Sequence, residues 1–252
     1  MRIIGLILIL FLASGGPVWG GELAQRLAIF PQWEGKPAVE IPKGELIYPD
    51  WMEGTWEVTS TLVEQIAPLS PAIVTLGFEQ NLRYLNQPLR FNVKFKPDYP
   101  VTTIASFIPL VLPKTPLIIP DRAFNGFNIA QAYLSTEGVK SVKVNPKDPN
   151  EQITFLANGS QLISRVTGRK IETLDSDQFI ATEITQQIFR SQSQIYLNEV
   201  ETTTFYRLLD SGIIEGDQVS AIYLSSQDPD YFAAANRPVA LYRYRLELII
   251  AV

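Results

Sequence analysis

Any chemistry in this chain has to do without thiol and imidazole side chains, because its 252 residues include no cysteine and no histidine. A thiolate nucleophile, a Ser-His-Asp or Cys-His pair, a disulfide and a Cys/His zinc site are excluded together. A haem could take only Met or Tyr as its axial ligand. The best-spaced set of usable groups lies over Val239–Ile249. On a strand, Tyr242, Tyr244, Leu246 and Leu248 share one face, and Arg243, Arg245 and Glu247 share the other. Tyrosines turned inward would give a ligand an amphipathic wall. Arginines turned inward would grip a carboxylate or phosphate with paired donors. The bland alternative makes the tyrosines core and leaves the arginines on the surface or packed on Trp56. Thr202, Thr204 and Tyr206 also share a face, which either lines a polar pocket or decorates an outer strand surface. The candidate ligand-binding residues are therefore Trp56, Tyr206, Tyr242, Tyr244, Arg243 and Arg245. Asp175-Ser-Asp177 and Asp228-Pro-Asp230 read as capped turns and not as calcium loops. Glu199 and Glu201 are same-face strand neighbours, a spacing that does not define a glycosidase pair. No residue set is assigned a catalytic or metal role, no cofactor is expected, and the missing histidine weighs against an enzyme.

These groups need strands to carry them. Gly54 suits a sharp turn. After it, Trp56, Val58, Ser60 and Leu62 form a mostly apolar face against polar Glu57, Thr59 and Thr61, as in a strand with one wet side. Leu89, Phe91, Val93 and Phe95 alternate with Arg90, Asn92, Lys94 and Lys96, whose basic face is expected in solvent. Val139–Val144 and Gln152–Ala157 flank a turn cluster, Asn145–Asn150. Asn158-Gly159 marks a hairpin into Gln161–Glu172. Gln178–Arg190 reads as a strand, although Ile180, Ile184 and Ile188 also fit a helical period. With Val200–Leu209, Asp217–Ser225 and Val239–Ile250, this makes about nine strands with turn signals between them, the pattern of a sandwich or barrel. Asp121 is expected to cap a helix running to Leu134, with Phe124, Phe127, Gln131 and Leu134 on one face. Val101–Pro120 is apolar but broken by Pro109, Pro113, Pro116 and Pro120, so it is expected as a lid, as short edge pieces, or as a patch for a membrane surface or protein partner.

Met1–Gly20 reads as a secretory signal peptide. Arg2 is its positive end, the apolar run Ile3–Ala13 is too short to span a bilayer, and small residues lie near Gly20. An uncleaved anchor is the alternative. Residues 21–47, with Pro31, Pro37 and Pro42, form an extended arm in which Glu22–Phe30 makes two helical turns. Residues 48–252 form the domain proper, with 65–137 as an insertion or lid. The net charge is −5, and residues 1–20 hold one basic residue and no acid, so the remainder has 20 basic against 26 acidic groups. That balance argues against a nucleic-acid partner.

The Gly54-Thr55-Trp56 opening of the first strand resembles the lipocalin and calycin signature. The resemblance implies a single antiparallel β-barrel of 8–10 strands. It also implies that Trp56 plugs one end, with an Arg of the last strand, Arg243 or Arg245, packed across it. The chain departs from the lipocalin pattern by ending on a strand. Its insertion resembles the fatty-acid-binding-protein layout, in which helices cover the mouth. Several stretches together resemble an uncharacterised family of exported proteins from cyanobacteria and plant chloroplasts. They are Arg122-Ala-Phe-Asn-Gly126, Asn198-Glu-Val-Glu-Thr-Thr-Thr204, Gln218-Val-Ser-Ala-Ile-Tyr-Leu224, Gln227-Asp-Pro-Asp-Tyr231 and Arg237-Pro-Val-Ala-Leu-Tyr-Arg-Tyr-Arg245. That resemblance implies the thylakoid lumen or periplasm and brings no reaction with it. The expectation is an exported, calycin-like binder of a small hydrophobic or amphipathic ligand of the lipid, carotenoid or tetrapyrrole class. A lumenal interaction or assembly factor for the photosynthetic apparatus, without a ligand, is the alternative.

Overall fold

Alternating apolar and polar residues dominate the chain after Gly54, and they fold as strands. The computed structural model describes residues 20–75, 77–99 and 115–251. The expected signal peptide, apart from Gly20, and the Pro-rich segment as far as residue 114 lie outside the described residues. The elements run α1 (Glu22–Ala28), β1 (Gly54–Ile66), β2 (Pro88–Asp98), β3 (Leu117–Pro120), α2 (Arg122–Leu134), β4 (Val139–Asn145), β5 (Asp148–Leu156), β6 (Gln161–Asp175), β7 (Gln178–Arg190), β8 (Ile195–Leu208), β9 (Ile214–Leu224), α3 (Tyr231–Ala234) and β10 (Ala240–Ile250). The ten strands form one antiparallel sheet in the order β3-β2-β1-β10-β9-β8-β7-β6-β5-β4, curled into a half-barrel. Gln178–Arg190 is a strand, paired with β6 on one side and β8 on the other.

No ladder joins β3 to β4 among the described residues, and α2 fills that seam. Asp121 caps the helix by accepting from Phe124 N at 3.3 Å. Asn125 then acts as a substitute strand: its Oδ1 accepts from Lys94 N at 2.6 Å and its Nδ2 donates to Lys94 O at 3.1 Å. An edge strand's orphan backbone groups are thus satisfied by a helix side chain. On the other flank, Gly126 lets α2 approach β4 and β5, where a Cβ would lie 3.3 Å from Val142. Because α2 sits in a seam, it does not bury the single stripe expected. Leu134 is exposed, and Ile129 and Tyr133 are the residues that reach the sheet's interior. The expected six-residue turn at Asn145–Asn150 is also tighter. Asn145 pairs with Asp148, and Asn145 and Asp148 cap the following backbone N–H groups through their side chains.

Both faces of the sheet carry a buried cluster. Inside, at the end where β1 begins, Met52, Trp56, Val93, Phe95, Ile118 and Leu248 pack into an apolar plug. Outside, Leu23, Ala24 and Leu27 of α1 and Trp33 beyond it pack on Ile180, Val219, Ala221, Tyr223 and Leu241. The arm continues to a bridge between Glu40 and Arg169. It runs so close to β6 that a Cβ on Gly168 would stand 2.4 Å from Val39. Among the described residues, no helix is long and apolar enough to cross a membrane.

Candidate functional site

Strand register decides which side chains share the inside of the half-barrel. Val58, Leu248 and Ile214 are in line across β1, β10 and β9, as are Ser60, Leu246 and Gly216. Tyr244 is opposite Gln218, and Tyr242 is opposite Ser220. Gln218 and Ser220 in turn face Thr204 and Thr202 of β8. Above the apolar plug, these strands and α2 line a half-open cavity of about 290 Å³. Val58, Phe91, Val93 and Leu246 supply apolar wall, and Tyr133 and the solvent-exposed Ile129 of α2 border it on the far side. Its polar atoms come from Ser60, Tyr133, Tyr206, Gln218, Ser220 and Tyr244.

The polar groups stand close to one another. The Tyr133 hydroxyl is close enough to Ser60 and Tyr244 to feel both. Thr204 Oγ1 donates to Gln218 Oε1 at 3.2 Å, and the Tyr206 hydroxyl stands near Thr204 and Tyr48. Burial pushes the Tyr206 phenol up to about 12. Burial also raises Tyr133 and Tyr244. All three are therefore un-ionised at neutral pH and present O–H donors.

An ion quartet lies beside the cavity on the inner face of β6 and β7. Arg122, the first residue of α2, holds Glu45 of the arm at 2.8 and 3.0 Å and Glu183 at 2.8 and 3.3 Å. Arg169 binds the same Glu183 at 2.7 and 2.9 Å and Asn150 at 2.7 Å. Burial acts to raise the Glu183 carboxyl, but the two guanidinium groups outweigh it and hold it below its ordinary value. For Glu45 burial wins over Arg122, and its carboxyl is raised. The quartet ties arm, helix and sheet together and uses its charges on itself.

Of the sequence candidates, Tyr206 and Tyr244 line this cavity. Trp56 sits in the plug beneath it, its Nε1 donating to Met52 O at 2.9 Å. Tyr242 faces inward above it, in a cap with Leu62, Phe78 and Tyr84, and accepts from Asn81 at 3.2 Å. Arg243 and Arg245 are on the opposite face. The expected Arg across Trp56 does not occur: Trp56 is paired with Ile250, whereas Arg245 is opposite Thr61 and Arg243 opposite Glu64. The alternation that turns Tyr242 and Tyr244 inward turns both arginines outward. There they border a larger groove of about 740 Å³ beneath α1, with Phe205, Arg207, Glu215 and Asp217. That groove runs along the outer sheet face, and Glu64, Arg245 and Glu247 also line it. Two of its ion pairs are closed, Arg243 with Asp217 at 2.6 Å and Arg207 with Glu215 at 2.7 Å. The interior cavity, lined by apolar side chains and a few neutral polar groups, has the make-up of a site for a small apolar ligand.

Ser60, Tyr133, Gln218 and Ser220 were missed by the candidate set. Ser60 had a signal, being the one polar residue on the apolar face of β1. The acidic pairs resolve as expected for turns: Asp228 Oδ1 accepts from Asp230 N, and Asp175 Oδ1 from Ser176 N. Among the described residues, no three acidic side chains are grouped to hold a metal. Glu199 and Glu201 are docking groups for the arm, bound by Lys36 and Arg26.

A family model described as a domain of unknown function, DUF6816, matches residues 40–250. No curated protein and no solved structure matches the chain.

Proposed function

The chain belongs to the DUF6816 family, and we propose that it binds a small hydrophobic or amphipathic molecule inside the half-barrel. The interior cavity carries this reading: an apolar wall with a few convergent polar groups is the usual make-up of a small-molecule site. Its size sets the scale of the occupant. About 290 Å³ is roughly the share of liquid taken by ten waters. That holds a one- or two-ring body, or the ring end of a longer terpenoid or lipid, and not a whole carotenoid or tetrapyrrole. The Gly54-Thr55-Trp56 resemblance to calycins supports a binder. The Met1–Gly20 pattern supports export, which with the family resemblance of the C-terminal stretches favours the periplasm or thylakoid lumen.

Native mass spectrometry of the protein purified from its own source tests the proposal. Extra mass in the native state that disappears on denaturation is the expected result. A bare chain mass, together with no heat-denaturation shift from any member of a panel of small neutral and acidic aromatic compounds, would refute it.

A further inference from the structure

The cavity has a chemical selectivity that its size does not reveal. Every polar atom in its lining is neutral: two serine hydroxyls, three phenols and the Gln218 amide. No Lys, Arg, Asp or Glu lines it. Beside it stands the quartet of Glu45, Arg122, Arg169 and Glu183, two cations and two anions bonded to one another. A ligand carboxylate buried against this lining would lose its hydration and meet no cation there, the costly way to bury an ion. Glu183, close enough to Tyr206 to raise its phenol, adds repulsion. A neutral carbonyl needs only one donor, and a phenol O–H can supply it. Gln218 accepts from Thr204 through its oxygen, so its amide N–H groups are not used on that contact. Hydroxyls both give and accept, so a ligand alcohol is served as well.

We infer that the ligand is an uncharged molecule with an apolar body and one or two carbonyl or hydroxyl oxygens, and that the cavity rejects carboxylates. The inference rests on the binding reading above and specifies its ligand class.

Three near-isosteric probes separate the terms: 2-ethylnaphthalene, 2-acetonaphthone and 2-naphthoate, which present no oxygen, a neutral acceptor and a charged acceptor on the same ring body. Their binding to the intact protein is measured by calorimetry at pH 7.5. The ketone is expected to bind roughly tenfold or more tightly than the acid, and more tightly than the hydrocarbon. Ser220→Leu, which fills the cavity, should abolish ketone binding while circular dichroism shows the sheet retained. If Ser220→Leu does not fold, Ser60→Val takes its place as the milder filling. Acid binding equal to or tighter than ketone binding overturns the neutrality inference and leaves the binding reading standing. Hydrocarbon binding equal to ketone binding overturns the oxygen requirement. Binding of none of the three refutes both readings. Ketone binding undiminished in a folded cavity-filling variant puts the site elsewhere and also refutes both.

Discussion

Replacing Arg26 with alanine should unfasten the N-terminal arm from the barrel at a large cost in stability. Glu201 points outward from β8 and is fully buried, with 0% of its surface exposed. Arg26 covers it from α1, donating Nε to Oε1 at 2.6 Å and Nη2 to Oε2 at 2.7 Å. Tyr223 and Thr203 hydroxyls donate to the same carboxylate at 2.9 and 3.0 Å. The guanidinium also donates to Gly35 O at 2.6 Å and lies 3.8 Å from the Trp33 ring centroid. Without Arg26, a carboxylate remains where water does not reach, with two hydroxyls and no counter-ion. Stripping one partner from such a pair costs about 3–5 kcal/mol. Loss of the ring contact adds about 1 kcal/mol. For a chain of this length, a loss of about 4–6 kcal/mol lowers Tm by roughly 8–24 °C. Adding Glu201→Gln to Arg26→Ala should restore about 2 kcal/mol, because a neutral amide can stay on the two hydroxyls without a charge. Urea unfolding followed by tryptophan fluorescence measures both variants. A shift below about 1 kcal/mol for Arg26→Ala at unchanged m would refute the reasoning, since it would mean that the carboxylate is hydrated or α1 is not docked.

The ion quartet gives two variants with opposite signs. Glu183 is held below its ordinary pKa of 4.5 because its two arginines outweigh burial, so its contribution is full above that value and is lost as pH falls through the lower folded value. Glu183→Gln should cost about 3–5 kcal/mol at pH 7, and the difference from wild type in urea midpoint should close in acid. Glu45 is raised because burial outweighs Arg122, so its contribution is present only below the unfolded value and is lost as pH rises through the folded one. Glu45→Gln should therefore be neutral or stabilising by up to about 1 kcal/mol at pH 7 in the same assay. Asn125→Ala removes both side-chain bonds to Lys94 and should cost about 1–3 kcal/mol, with faster hydrogen exchange at the Lys94 amide. Gly138→Ala would set a Cβ 2.2 Å from Leu134 O, a backbone atom that cannot swing aside, and should lower the thermal midpoint by about 1–3 kcal/mol equivalent.

The strands were legible because turn chemistry and alternation agree. Asn158-Gly159 forms the β5–β6 hairpin, with Gly159 at φ 84°. The Tyr242/Tyr244 face and the Arg243/Arg245 face separate as the period of two requires. What alternation alone could not say is which face points inward. In the middle of β9, Val219 and Ala221 are apolar and the alternating Gln218 and Ser220 polar, although Glu215 and Asp217 share the first face and Ile214 and Ile222 the second. Applied to that middle stretch alone, a rule that sends apolar residues to the barrel interior would choose the wrong side. The apolar pair lies outside at 0% exposure, because α1 and Trp33 cover it. The helix was read correctly from its Asp121 cap, but its role in the seam was not, because Asn125 and Gly126 bond and approach strands far away in sequence. The quartet was hidden for the same reason, since Glu45, Arg122, Arg169 and Glu183 come from four separate elements.

That inversion in β7 to β9 bears directly on the cavity. A sheet with one wet face places its apolar side chains in the interior. Here Ile180, Ile184, Val219 and Ala221 are buried on the outer side, so much of the apolar burial of these strands is supplied by the arm. The inner positions of the same strands are then free to carry Thr202, Thr204, Gln218 and Ser220, side chains too short or too polar to fill the space between β8, β9 and α2. The Thr204–Gln218 hydrogen bond satisfies part of their polar capacity. The remaining capacity faces a space whose other walls are Val58, Phe91 and Leu246. The outer core supplied by the arm thus leaves short polar side chains on the inner face, where the proposed ligand would lie.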